Sequence, residues 1–172
     1  SDSNATARWL ENDQLFFEQL EMGHDWAEKV ATRLAAAGVS ASATPMVRRS
    51  SVDHRHEFRN EQDVVLARGH HAVEVKSRNL AFFEEPSTYP SPTALLDTVS
   101  GWDAKHPKPI AVILVSQITG AMLVAPLSTA DNWTVTSAHD RVRGIDDRWY
   151  AVEVADLIPF PLFVQRLLSD VA

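Results

Sequence analysis

The run at residues 110–115, Ile-Ala-Val-Ile-Leu-Val, constrains the fold more than any other segment of the chain. It is apolar on both faces, as a strand at the centre of a covered sheet must be. At six residues it is far below the roughly 20 needed to cross a bilayer, and no other apolar run in the sequence approaches that length. A strand of this kind needs layers on either side. The 172 residues, 45% of them hydrophobic, suffice for one domain with such a core.

The segments around this strand supply the layers. Residues 12–37 read as a helix, with Leu15, Phe16, Leu20, Trp26, Val30 and Leu34 at helical spacing. Asn12 or Asp13 can cap its start, Gly23 can divide it, and Gly38 can end it. Residues 44–49 are a modest strand candidate. Residues 63–67 (DVVLA) and 72–77 (AVEVKS) are stronger, and the short link at 68–71 makes them a hairpin. Residues 79–108, rich in Pro, Ser and Thr, read as a long loop with one short helix near 93–100. Strands follow at 122–125, 133–136 and 149–154, with a polar stretch at 137–148. Pro161 opens a last helix through Leu168. The expected fold class is α/β or α+β, a single mixed central sheet flanked by helices. The expected organisation is a tail at 1–11, whose Ser-Asn-Ala reads as a cloning remnant, and one domain at 12–172. No basic-then-apolar leader opens the sequence.

Chemistry concentrates on the predicted hairpin. In Val73-Glu74-Val75-Lys76 the two valines face one side and Glu74 and Lys76 the other. With Asp63 opening the preceding strand and ten residues separating it from Glu74, three charged side chains converge at one end of the hairpin. Two carboxylates are hard oxygen ligands suited to Mg²⁺, with Mn²⁺ as a substitute. Such a metal activates a water and offsets charge on a phosphate, and Lys76 is spaced to orient that water. The candidate third acid is Glu28, on the first helix, with Glu21 almost on the same helical face as the fallback. Two carboxylates about 5 Å apart repel by roughly 3 kcal/mol at a dielectric near 20, and three by about 10. Such a cluster requires a cation, a proton on one acid, or its own absence.

Gly23, Glu28, Val30, Leu34 and Gly38 on a helix, followed by Asp63, Glu74 and Lys76 on strands, resemble the PD-(D/E)XK nuclease superfamily. That superfamily includes restriction enzymes, Holliday-junction resolvases and phage or repair nucleases. The resemblance spans about residues 15–79, and the run at 110–115 fits the family's next core strand after a crossover helix. It implies a restriction-endonuclease-like fold, with Asp63, Glu74 and Glu28 as metal ligands and Lys76 as the catalytic lysine. It further implies a Mg²⁺-dependent nuclease, endonuclease favoured, acting on duplex, branched or single-stranded DNA. Gln62 stands where the family motif has proline, and the crossover helix looks short.

Other constellations compete less well. His54, His56, His70 and His71 offer an alternative zinc or manganese site, without the i, i+4 pairing of a zinc protease helix. Arg48, Arg49, Arg55, Arg59, Arg78, Arg141 and Arg143 can hold a phosphate backbone if they fold toward one cleft. Trp102, Trp133 and Trp149 can stack on bases or pack in the core. Ser77 and Ser116 lack the context of a hydrolase nucleophile, and no Gly-rich phosphate loop is present. The chain has no cysteine, which fits a cytoplasmic location and excludes thiolate chemistry. Its net charge of −7 argues against tight non-specific nucleic-acid binding. The alternatives to a DNA nuclease are therefore an RNA nuclease and a module that binds nucleic acid or protein without cutting. Specificity would come from DNA structure or a protein partner, and homodimerisation would let two sites cut two strands.

Overall fold

A computed structural model of the chain describes Glu18 and residues 21–45, 63–67, 71–140 and 144–170. Residues 21–36 form helix α1, whose Ala27, Val30, Ala31 and Leu34 are buried at the i, i+3, i+4, i+7 spacing of an amphipathic helix. The helix passes through Gly23 without a break. It ends where the sequence predicts: Gly38 takes φ +96°, its N–H donates to the Ala35 carbonyl and that of Val39 to Leu34. This is the paired closure that glycine after a helix permits.

The strands are β1 (Ala41–Ala43), β2 (Val64–Leu66), β3 (Ala72–Arg78), β4 (Thr93–Thr98), β5 (Ala111–Ser116), β6 (Met122–Pro126), β7 (Thr134–Asp140), β8 (Ile145–Glu153) and β9 (Ile158–Pro159). Helix α2 (Val99–Asp103) follows β4, and α3 (Phe160–Asp170) closes the described chain. Six strands form a mixed sheet in the order β1-β2-β3-β5-β6-β9, antiparallel throughout except for β3 beside β5. The expected hairpin is β2–β3. The segment between the parallel neighbours β3 and β5 carries β4 and the five-residue α2. The fold is α+β, with this central mixed sheet flanked by helices.

The apolar run forms β5, and all six of its residues are buried. Ala111, Ile113 and Val115 join α1 and α3 in one core, with Val30, Leu34, Phe160 and Phe163. Val112 and Leu114 face a second core with Phe82, Leu96, Trp102, Leu123 and Val152. Each aliphatic side chain so enclosed contributes about 1.5–3 kcal/mol.

The cover on this second face differs from the expectation of a single sheet. It is a further antiparallel sheet, ordered β4-β8-β7. Residues 93–98, expected as part of a short helix, are strand β4, in which Ala94 and Leu96 alternate inward against β8. The helix starts only at Val99, where Thr98 caps it by accepting from the Gly101 N–H at 3.0 Å. Residues 137–140 and 145–148, expected in a polar stretch, are paired strand instead. Their side chains are largely exposed, so no apolar alternation marks them. Residues 46–49 of the early strand candidate and the expected helix start at residue 12 lie outside the described residues. Among those described, no helix is long and apolar enough to cross a membrane.

Candidate active site

Strand alternation decides which side of the main sheet carries charge. Glu74 and Lys76 stand in register with Val112 and Leu114 of β5, on the face toward the second sheet. Val73 and Val75 face the helices. Asp63 sits where the β2 ladder ends, and its carboxylate accepts the Val75 N–H at 2.8 Å. The hairpin thus brings Asp63 to the strand that carries Glu74 and Lys76, as the spacing predicts.

Two further residues complete the group, and the sequence reading missed both. Asp97 lies on β4 at an irregularity in its register with β8, between Leu95 and Asp97. That irregularity breaks the alternation, so Leu96 and Asp97 are both buried. Lys105 follows α2, with its backbone N–H bonded to the Trp102 carbonyl. Gly101 is required by the approach: a Cβ there would meet Thr98 Oγ1 at 2.7 Å and Asp97 Oδ1 at 3.1 Å. The faint signal was the buried-strand pattern Ala94-Leu-Leu96 ahead of Asp97.

The charges form a closed ring. Lys76 Nζ lies 3.2 Å from Glu74 Oε1 and 3.4 Å from Asp97 Oδ1. Lys105 Nζ lies 2.7 Å from Asp97 Oδ2 and 3.7 Å from the same Glu74 Oε1, and donates to the Gly101 carbonyl at 3.2 Å. Glu74, Asp97 and Lys105 are each about 5% exposed, whereas the Lys76 side chain retains 26%. Glu74 Oε2 is buried and has no hydrogen-bond partner among the described residues.

Three carboxylates and two lysines leave one negative charge in excess, and Glu74 bears the consequence. Burial, and then the neighbouring Asp63, push its pKa up to about 8 despite both lysines. Burial also raises Asp63, against the pull of Lys76. For Asp97 burial acts upward, but Lys76 and Lys105 outweigh it and hold the group below the usual carboxylate value. Burial opposes the charge on Lys76, yet Asp97, Glu74 and Asp63 together hold its pKa above that of an ordinary lysine.

Glu28 is not brought to this group. Helix α1 packs on the Val73/Val75 side of the sheet, and the Glu28 side chain, 61% exposed, sits 3.1 Å from His24 Nε2. Among the described residues, the charges that weigh most on Glu74 are Asp63, Lys76, Lys105 and Asp97, none of them on α1, which also carries Glu21. The acid that joins Asp63 and Glu74 is therefore Asp97, supplied by β4.

The competing residues have other positions. Arg78 donates to the Leu95 and Leu96 carbonyls at 2.9 and 3.2 Å, fastening β3 to β4 rather than facing a phosphate. Trp102 is buried with its ring edge-on to Trp133, 5.0 Å between centroids, so both are packing residues. His71 is exposed, immediately before β3. His54, His56, His70, Arg48, Arg49, Arg55, Arg59, Arg141 and Arg143 lie outside the described residues.

The donor set is compatible with a hard divalent cation. Among the described residues no three histidine or carboxylate groups form a ready metal cage. Mg²⁺, however, binds through one or two carboxylates and keeps its waters. An orphaned, buried carboxylate oxygen beside a second acid is what such an ion would satisfy. Comparison with protein-family models, curated proteins and solved structures gave no match.

Proposed function

We propose that this chain is a Mg²⁺-dependent nuclease that hydrolyses phosphodiester bonds, with DNA as the favoured substrate. The observation that carries the reading is Glu74 Oε2, buried without a partner in a group that also holds Asp63 and a cationic lysine. Asp63 and Glu74 would hold the metal. A cation held there would supply a water of lowered pKa and offset charge on the scissile phosphate. Lys76, the more exposed of the two lysines, keeps its proton and can reach toward solvent to orient the water or the phosphate. Specificity would come from the structure of the nucleic acid, from a second copy or from a protein partner.

The test is incubation with duplex, single-stranded and branched DNA and with RNA, in Mg²⁺, Mn²⁺ or EDTA. Cleavage should require the metal, and Lys76→Ala should reduce it by about 10²–10³-fold, the usual loss of a transition-state donor. Cleavage of RNA alone would redirect the substrate.

The burial of Glu74 and the net charge of −7 favour a second reading, a module that binds without cutting. Binding that is indifferent to EDTA and to Lys76→Ala would establish it.

A further inference from the structure

The ring of charges treats the two oxygens of Glu74 unequally. Both lysines reach Oε1, at 3.2 and 3.7 Å, while Oε2 is left buried and unpartnered. A buried acceptor without a partner is costly, and nothing forces this arrangement unless the carboxylate is held from one side. The holding structure is elaborate. The register irregularity in β4 turns Asp97 inward, Thr98 caps α2, and the missing Cβ of Gly101 lets the turn close on Asp97. Lys105 is then enclosed and tied to both Asp97 and the Gly101 carbonyl.

We propose that Asp97 and Lys105 are positioning residues of the metal site. They pin Glu74 through Oε1, which aims Oε2 at the cation, and Asp97 holds Lys76 alongside. This rests on the reading of Asp63 and Glu74 as metal ligands. The two lysines have separate tasks. Lys105 is a fixed counter-charge, buried and hydrogen-bonded to Asp97 and the Gly101 carbonyl. Lys76 is more exposed, so it can turn to a phosphate while Lys105 stays beside Glu74 and Asp97.

A charge-balanced variant separates positioning from simple electrostatics. Asp97→Asn with Lys105→Met removes one negative and one positive charge and leaves the sum unchanged. Mn²⁺ binding to the intact chain is followed by the electron paramagnetic resonance signal of the free ion, beside wild type and Glu74→Gln. Folding is checked by circular dichroism.

The expected result is Mn²⁺ binding by wild type, its loss in Glu74→Gln, and affinity about ten-fold weaker in the double variant. A ten-fold change is the order expected when one ligand of a metal loses its outer support. A pair that merely ties the sheets together would lower the melting temperature and leave Mn²⁺ affinity unchanged. That result overturns the proposal while the metal reading stands. Absence of Mn²⁺ binding in wild type, or unchanged binding in Glu74→Gln, overturns both. If the double variant does not fold, Asp97→Asn alone is read in the same way. It is isosteric but loses the charge that ties Asp97 to Lys76 and Lys105, so unchanged Mn²⁺ affinity there also overturns the proposal.

Discussion

The two halves of the charged ring are built by opposite means. Glu74 and Lys76 come from β3, where plain alternation sends them to one face and Val73 and Val75 to the other. Asp97 and Lys105 come from β4 and the turn after α2, where alternation is broken and a helix cap and a glycine set the geometry. One half follows from a period of two and reads directly from the sequence. The other depends on an exception to that period, and exceptions have no local signature. The halves also differ electrostatically: Glu74 is pushed toward its neutral form and Asp97 is held in its charged one.

The electrostatic contrast yields the largest expected effect. Glu74 has a higher pKa folded than unfolded, so the folded state retains a proton that the unfolded state releases. Its stability contribution therefore falls as pH rises from 4.5 to about 8. A shift in this direction across several pH units is worth on the order of a few kcal/mol. Asp97 acts in the other direction, losing stability only on acidification through its depressed pKa, below 3.8. Thermal melts of metal-free protein should show a melting temperature about 10 °C higher near pH 5 than near pH 8. Glu74→Gln should flatten that slope, and an unaltered slope would remove Glu74 as its source.

Next in size is the packing beneath the second half. Leu96 is fully buried, and Leu96→Ala should cost about 2–5 kcal/mol in urea unfolding. A loss below about 1 kcal/mol would mean that β4 is a loose cover rather than part of the core.

The smallest expected effect tests the turn itself. Gly101→Ala forces a contact with Thr98 Oγ1 and should cost about 1–3 kcal/mol. Gly23→Ala on α1 meets nothing within 4 Å among the described residues and should be neutral or stabilising by about 0.5–1 kcal/mol. Equal melting temperatures for the two variants would erase the distinction between a glycine that a close approach requires and one that it does not.

Much of the main sheet was legible because its information is local. The run at 110–115 announces a strand covered on both faces, the hairpin follows from two short strands and a turn, and Gly38 marks the end of α1. The second sheet was not legible. Residues 93–98 become a strand through pairing with β8, more than 50 positions away, and the exposed part of the β7–β8 hairpin has no apolar stripe to betray it. The helical acid misled for a related reason. Spacing along α1 shows which residues share a face of the helix, but not which face of the sheet the helix covers. Glu28 therefore lies across the sheet from Glu74.

By itself the sequence determined that β5 is buried on both faces and that Glu74 and Lys76 share one side of β3, since a strand's period is two whatever surrounds it. Only the tertiary structure decided what faces them. The third acid, the second lysine and the unpaired oxygen of Glu74 arise where two sheets meet, from contacts between segments that carry no mark of one another in the chain.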